Sequence, residues 1–253
     1  MEVYEITFSP TGGTKRVSDC LLQSFEGECR PVDLTDSQMD FQAISLAPDD
    51  VAVIAAPSYG GRVPATAAER LTKIHGNGAR AILICVYGNR AYEDTLVELE
   101  DAAKQAGFRV IAAVAAIAEH SIAHQFATGR PDEKDAQQLG LFGQQIRKKL
   151  LASNDSEPNI PGNRPYKKAG GAGMVPKATK DCVKCGTCAK ACPGQAIQAD
   201  DPHKVDECAC ISCMRCISVC PQNARKVNPI MLSAVGVALK KACSVRKECE
   251  LFL

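Results

Sequence analysis

The sequence predicts an α/β protein. A doubly wound, parallel sheet of five strands, in the order 2-1-3-4-5, precedes a small α+β domain and a C-terminal helix. In residues 1–152, short apolar runs alternate with stretches of helical periodicity, which is typical of parallel strands joined by crossover helices. Further along, most of the fourteen cysteines stand in two copies of one spacing. That repetition indicates a second, smaller domain organised around bound metal.

The elements of the first domain follow from its apolar pattern. Strands are predicted where β-rich or continuously apolar runs occur, at residues 3–8, 29–34, 51–56, 81–87 and 108–118. Helices are predicted at residues 14–25, 64–74, 92–106 and 131–152. The last helix begins with Pro-Asp-Glu and ends with Arg-Lys-Lys, so its charges complement the helix dipole at both ends.

The composition describes an ordinary globular protein and excludes several functional classes. Hydrophobic residues make up 45% of the 253 residues and charged residues 23%, which is enough apolar material for a core. A net charge of +1 offers no basic footprint for nucleic acid. No apolar run reaches the roughly 18 residues of a membrane span. The first residues, Met-Glu-Val-Tyr-Glu, carry acids where an export signal carries bases, so we expect a cytoplasmic protein without nucleic-acid or membrane partners.

The chain divides into four predicted parts. Residues 1–152 form the sheet domain, 177–229 the cysteine-rich domain, and 230–253 one amphipathic helix that packs back on the protein. A membrane-surface helix is the alternative for that last part. Residues 153–176 are rich in proline, glycine and polar residues, so they form a connection. It is either a loose tether or an extended arm on the first domain, and its apolar residues Ile160, Tyr166, Met174 and Val175 favour the arm.

The loop after the first strand is suited to an anion. It consists of Ser9, Pro10, Thr11, Gly12, Gly13 and Thr14. Free N–H groups at the start of the following helix, together with the helix dipole, favour a phosphate there, and the hydroxyls add donors. The loop lacks the Gly-Lys-Ser/Thr ending of nucleotide triphosphate sites and the G-x-G-x-x-G pattern of NAD sites. A turn with good capping residues remains the simpler alternative.

Two later loops reach the same sheet edge and carry aromatic residues beside glycines. Residues 57–64 read P-S-Y-G-G-R-V-P, and residues 87–92 read Y-G-N-R-A-Y. Glycine allows a flat ring to approach the backbone, and an aromatic side chain offers it a stacking face. Together with the anion loop they predict a flavin site. The residues of these two loops that are expected to bind the cofactor are Ser58, Tyr59, Gly60, Gly61, Arg62, Tyr87, Gly88, Asn89, Arg90 and Tyr92.

The cysteine-rich domain contains the spacing C-x2-C-x2-C-x3-C-P twice. This spacing is that of bacterial proteins with two [4Fe–4S] clusters, in which the fourth cysteine of each run ligates the other cluster. The first cluster is therefore expected on Cys182, Cys185, Cys188 and Cys220. The second is expected on Cys210, Cys213, Cys216 and Cys192. Cys208 does not fit the spacing and is expected to be a non-ligand, and disulfides are disfavoured in a chain that carries no export signal.

Over both domains the chain resembles fusions of a flavodoxin to a bacterial ferredoxin, a group found in anaerobes. The resemblance includes P-S-Y-G-G-R-V-P and I-P-G-N-R-P-Y, and S-P-T-G-G-T resembles the flavodoxin phosphate loop T/S-x-T-G-x-T. It implies that Ser9, Thr11, Gly12 and Thr14 hold the phosphate of FMN and that the two later loops frame its isoalloxazine. Two departures stand out. Pro10 removes one N–H donor, and the chain has no tryptophan, so Tyr59 is the natural substitute for a stacking tryptophan.

These observations predict an electron-transfer protein that passes electrons between FMN and two [4Fe–4S] clusters and on to a redox partner protein or a low-potential donor or acceptor. One alternative is a flavin-dependent reductase of a small molecule, with Arg62, Arg90 or His120 lining a substrate cavity. Another is a first domain that binds no flavin and serves only for docking. The sequence also leaves open a homodimer, the direction of electron flow and the mobility of the connection.

Overall fold

The structure is a computed structural model that describes residues 1–170 and 173–253. Its strands are β1 (Val3–Thr7), β2 (Cys29–Asp33), β3 (Val51–Pro57), β4 (Arg80–Tyr87), β5 (Arg109–Ile117), β6 (Lys177–Ala178), β7 (Arg225–Lys226) and β8 (Glu250–Phe252). Its helices are α1 (Gly13–Leu22), α2 (Ala65–Leu71), α3 (Thr95–Gln105), α4 (Glu133–Leu151), α5 (Thr187–Lys190), α6 (Arg215–Ser218) and α7 (Pro229–Cys243).

The main sheet has the strand order β2-β1-β3-β4-β5-β8. The first five of these strands are parallel, so the predicted order 2-1-3-4-5 is confirmed. Both faces are covered. Val17 of α1 and Leu139 of α4 pack on one face, and Leu71 of α2 and Leu96 of α3 pack on the other. Burial on both faces explains why β3 to β5 are continuously apolar.

The end of the chain differs from its prediction as one helix. The helix α7 ends at Cys243, and β8 adds a sixth strand antiparallel to β5, with Val114 opposite Leu251. The prediction of a single helix over residues 230–253 is therefore wrong beyond Cys243. Pairing satisfies the backbone of the β5 edge, which would otherwise be open, and the side chain of Phe252 packs against both cores.

Residues 153–170 contain no helix or strand and contact α3. The Asn163 N–H donates to Asp94 Oδ1 at 2.9 Å, and Arg164 pairs with Asp101 at 2.7 Å. Ile160 packs against the core. This part of the connection lies as an arm on the first domain. Gly171 and Ala172, which belong to the same predicted segment, lie outside the described residues.

The cysteine-rich part is built from two similar halves. Each half has one short helix, α5 or α6, and each helix follows a residue in the left-handed region, Gly186 (φ 76°) or Met214 (φ 63°). The strands β6 and β7 pair antiparallel. This part rests on the first domain through Arg70, whose Nη2 donates to the Pro193 carbonyl at 2.7 Å.

None of the helices in the described residues has the length and apolar character needed to cross a membrane.

Candidate functional site

A cavity of about 380 Å³ lies at the carboxyl ends of the parallel strands. We call it the strand-edge cavity. Its volume falls in the roughly 300–1,000 Å³ range of small-molecule sites, and its position is where open α/β sheets bind ligands. The predicted residues that line it follow β1, β3 and β4, and they are Thr11, Gly13, Thr14, Ser58, Tyr59, Gly60, Tyr87, Gly88 and Arg90.

The loop after β1 leaves the N-terminus of α1 open. Gly12 occupies the N-cap position with φ 87° and provides no side-chain cap. A Cβ built on Gly12 would meet nothing within 4 Å. Ser9 Oγ accepts the Lys15 N–H at 2.9 Å, so its hydroxyl supports the first turn. An open N-terminus of a ten-residue helix, next to the Thr11 and Thr14 side chains, fits a phosphate group.

Several predicted residues lie near the strand-edge cavity but do not line it. Ser9 and Gly12 shape the start of α1, as described above. The Arg62 guanidinium binds Glu98 through two contacts of 2.7 Å, and Gly61 packs closely against the Glu93 side chain. These contacts brace the loop after β3.

Asn89 and Tyr92 hold the end of the chain. The buried Asn89 Nδ2 donates to the carbonyls of Cys243 at 2.8 Å and Val245 at 2.9 Å. The Tyr92 hydroxyl donates to Glu250 at 3.0 Å. Neither of these predicted cofactor-binding residues lines the strand-edge cavity. Both follow a strand at the correct edge, but their side chains point to a segment more than 150 residues away.

Two parts of the cavity wall lie outside the three predicted flavin-binding loops, although His120 was expected to line a cavity in the reductase alternative. The loop after β5 contributes Glu119, His120, Ser121 and Ile122, and the roof consists of Gly170, Ile211, Ser212, Val235 and Leu239. The loop after β5 was accessible to prediction, because all carboxyl ends of parallel strands meet at one edge. No sequence pattern predicted the roof, because its residues come from three segments outside the sheet domain: the arm, the cysteine-rich part and α7.

Hydrogen bonds and burial favour the neutral form of His120. Its Nδ1 accepts the N–H groups of Ile122 at 3.2 Å and Ala123 at 3.1 Å. Burial lowers the pKa of His120, and the nearby His124 adds to this effect. The imidazole is therefore neutral, and its proton is on Nε2. Gly88 allows this packing, since a Cβ at Gly88 would lie 2.6 Å from the His120 ring.

The two tyrosines of the cavity are neutral phenols. Burial raises the pKa of Tyr87, and the nearby Glu250 acts in the same direction. Burial also raises the pKa of Tyr59, with a further contribution from the charge of Cys213. Ile211 and Ser212, which directly precede Cys213, line the same cavity, so its wall lies beside the second run of cysteines.

The eight spaced cysteines surround two further cavities. The first cysteine cavity is lined by Cys182, Cys185, Cys188 and Cys220. The second cysteine cavity is lined by Cys192, Cys210, Cys213 and Cys216. The exposed Cys208 lines neither. Within residues 1–170 and 173–253, no group of three or more His, Cys, Asp or Glu side chains is arranged around a single metal ion; the cysteines enclose a volume instead.

The donor set of these cavities fits iron–sulfur clusters. Four soft thiols face each cavity, and thiolates are the ligands that such clusters take. Burial raises the pKa of Cys213 to about 12 and that of Cys216 to about 11. Thiols in such surroundings ionise when a metal compensates the thiolate charge. The buried Arg225, which lines both cysteine cavities, supplies further positive charge.

The three cavities form a continuous series. Ile211 lines both the strand-edge cavity and the second cysteine cavity. Arg225 lines both the second and the first cysteine cavity. The Pro10 carbonyl, next to the anion loop, accepts from Arg215 Nη1 at 3.3 Å, and Arg215 precedes Cys216. The series therefore runs from the sheet edge, through the second cysteine cavity, to the first.

Comparisons with known proteins agree with the cysteine spacing. A family model described as "4Fe-4S dicluster domain" matches residues 180–225. Ferredoxin Fdx2 of Sorangium cellulosum (strain So ce56) is 30% identical over 76 residues, which cover 27% of this chain and 75% of that ferredoxin.

Among solved structures, similarity is found to flavodoxins. The two-electron reduced flavodoxin of Megasphaera elsdenii is 15% identical and covers 56% of this chain and 98% of its own, with a TM-score of 0.41. Oxidised flavodoxin 1 of Bacillus cereus is 15% identical and covers 58% of this chain and 98% of its own, with a TM-score of 0.42. The strand order, and not these scores, carries the assignment of the fold.

The N-terminal sheet has the strand order of flavodoxins, with β8 added at its edge. The C-terminal part has the cysteine spacing, the dicluster match and a ferredoxin relative, and these give the protein an electron-transfer role. The chain thus belongs to the ferredoxin family, and it carries its ferredoxin domain as a fusion to an N-terminal domain of flavodoxin-like fold.

Proposed function

We propose that the protein is an electron carrier in which FMN and two [4Fe–4S] clusters form one relay that serves a redox partner. The observation that carries this proposal is the position of Ile211, which lines both the strand-edge cavity and the second cysteine cavity. Bound in these cavities, FMN would supply one- or two-electron chemistry and the clusters one-electron chemistry. The protein would then connect donors and acceptors of the two kinds.

The strand-edge cavity offers FMN a polar end and an aromatic end. At the polar end, the open N-terminus of α1 and the hydroxyls of Thr11 and Thr14 bind the phosphate. At the other end, Tyr59 and Tyr87 lie on two neighbouring loops and provide apolar ring faces. The Nε2–H of His120 is a fixed donor in the same wall. These residues would bind and orient the flavin.

The cysteine cavities support the crossed ligation of the two clusters. Cys220 of the second run faces the first cavity, and Cys192 of the first run faces the second. The second cluster is then the neighbour of the flavin. The first lies nearer the surface, since Cys185 is exposed and Val183 between its ligands is 63% exposed. We therefore place the exchange with the partner at the first cluster.

Cofactor analysis of the anaerobically purified chain tests this proposal. We expect about eight irons per chain, four for each cluster, and one FMN released on denaturation. In addition, we expect Cys192→Ser to lose the second cluster more readily than the first. We expect Cys182→Ser to lose the first cluster more readily than the second. A protein with about four irons, or one that never takes up FMN, contradicts the relay.

The main alternative is a flavin-dependent reductase of a small molecule, and one observation favours it. Arg90 and His120 both line the strand-edge cavity and are polar groups of the kind that orient a substrate. The two functions differ in kinetics. A reductase shows saturation by a small acceptor and a raised KM in Arg90→Ala, whereas a carrier reacts with small acceptors at a rate that rises linearly with their concentration.

A further inference from the structure

Arg225 is the largest side chain that the described residues bury almost completely. It is 2% exposed, although arginine is among the residues that proteins bury least. Its side chain extends from β7 and lines both cysteine cavities. A permanently charged guanidinium thus lies between the two places where the clusters are proposed to be bound.

Among residues 1–170 and 173–253, no carboxylate forms an ion pair with this guanidinium. Arg225 Nη1 donates to the Pro202 carbonyl at 2.8 Å and contacts Cys188 Sγ at 3.5 Å. Nη2 donates to the Pro176 carbonyl at 2.9 Å, and the buried Nε has no partner. The ion pairs among the described residues do not include Arg225. A buried cation is strongly unfavourable unless an anion faces it, and the thiolate sets of the two cavities are the anions available.

The pseudo-repeat shows that packing alone does not require this arginine. The first half continues after its fourth cysteine as Cys-Pro-Gly-Gln-Ala-Ile, and the second half as Cys-Pro-Gln-Asn-Ala-Arg. Arg225 therefore corresponds to Ile197, which is buried at 7% exposure and lines only the second cysteine cavity. The same position of the repeat accepts an apolar side chain in one half and carries a charge in the other.

We infer that Arg225 is the shared countercharge of both clusters and raises their reduction potentials. The inference rests on the proposed function, since it requires both clusters to be present. Reduction adds one electron to a cluster that is already negative, and no proton moves, because a guanidinium stays protonated. A buried positive charge favours the reduced, more negative form. Arg225 contacts the sulfur of Cys188 in the first set at 3.5 Å and also lines the cavity of the second set, so both potentials are affected.

The test compares three variants with the unmodified holoprotein. Arg225→Met removes the charge at similar length, Arg225→Lys keeps the charge, and Lys226→Met removes the neighbouring charge, which is exposed. Iron is counted first, and both potentials are then measured by redox titration followed by electron paramagnetic resonance. We expect both potentials to fall in Arg225→Met. Arg225→Lys stays closer to the unmodified protein, and Lys226→Met matches it.

The outcomes separate this inference from the proposed function. About four irons in the unmodified protein overturns the proposed function. Eight irons in every variant with unshifted potentials in Arg225→Met overturns the inference alone. Arg225→Gln is the second neutral variant. If both neutral variants lose iron while Arg225→Lys retains it, the residue serves cluster assembly, and its role in setting the potentials is rejected.

Discussion

The burial of His120 makes the stability of the protein depend on pH. Its folded-state pKa lies below the ordinary value of 6.5, first because of burial. Well above pH 6.5 the side chain is neutral in both the folded and the unfolded protein and contributes no pH dependence. Below that pH the unfolded chain binds the proton more readily, so the free energy of unfolding falls. We expect acidification to destabilise the unmodified protein more than His120→Gln.

To check this prediction, the thermal unfolding midpoints of both proteins are measured without air at about pH 7.5 and about pH 5.5, and the decrease between the two pH values is compared. The exposed His203 provides the control, and His203→Gln is expected to keep the pH dependence of the unmodified protein. Equal acid sensitivity in His120→Gln and the unmodified protein would show that His120 does not stay neutral in the fold.

Gly88 provides a second prediction at the scale of one residue. In Gly88→Ala the new Cβ would lie 2.6 Å from the His120 ring, so the ring must move within the cavity wall. Overpacking of this kind costs about 1–3 kcal/mol. We expect a lower unfolding midpoint together with weaker retention of FMN on gel filtration.

Gly140→Ala is the matched control for this variant. Gly140 lies within α4, and a Cβ there meets nothing within 4 Å, so alanine is expected to stabilise the helix by about 0.8–1 kcal/mol. If Gly88→Ala retains both its stability and its FMN, the His120 ring does not pack as closely against Gly88 as described.

Among the elements, the C-terminal segment depends on one buried amide. Asn89 donates to the carbonyls of Cys243 and Val245, and its Oδ1 accepts the Lys247 N–H at 3.2 Å. Asn89→Ala leaves these backbone groups without their partner, which costs about 1–3 kcal/mol. We expect faster amide exchange over residues 243–252, which include β8, and little change in β3. The exposed Asn154 serves as the control, since Asn154→Ala leaves the C-terminal segment in place.

At the scale of the whole molecule, Arg70 joins the two domains. Its Nη1 donates to the Leu34 carbonyl and its Nη2 to the Pro193 carbonyl, both at 2.7 Å. Hydrogen bonds from a charged group contribute about 1.5–3 kcal/mol each. Arg70→Ala is therefore expected to loosen the ferredoxin part on the sheet domain, seen as faster amide exchange around Pro193 and a larger radius of gyration. The control is Lys73→Ala, one turn away on the exposed surface, which is expected to change neither quantity. If Arg70→Ala also changes neither, these two hydrogen bonds do not hold the domains together.

The fold and the identity of the sites were largely encoded in short stretches of sequence. Alternating apolar runs predicted β1 to β5 and their order, because each strand and helix has a local periodicity. The spacing of the eight cysteines predicted two sets of four, since a ligand run is also a local pattern. Loop positions after β1, β3 and β4 followed from the rule that parallel strands end at one edge.

What lay beyond the sequence was the arrangement of segments distant along the chain. The roof of the strand-edge cavity, including Ile211 and Leu239, and the sixth strand β8 had no local signal. The contacts that create this arrangement run from Arg70, Arg215 and Asn89 to backbone carbonyls. Since every residue has a carbonyl, such contacts leave no pattern to recognise, and the placement of the second cysteine cavity beside the strand-edge cavity emerged only once the chain was folded.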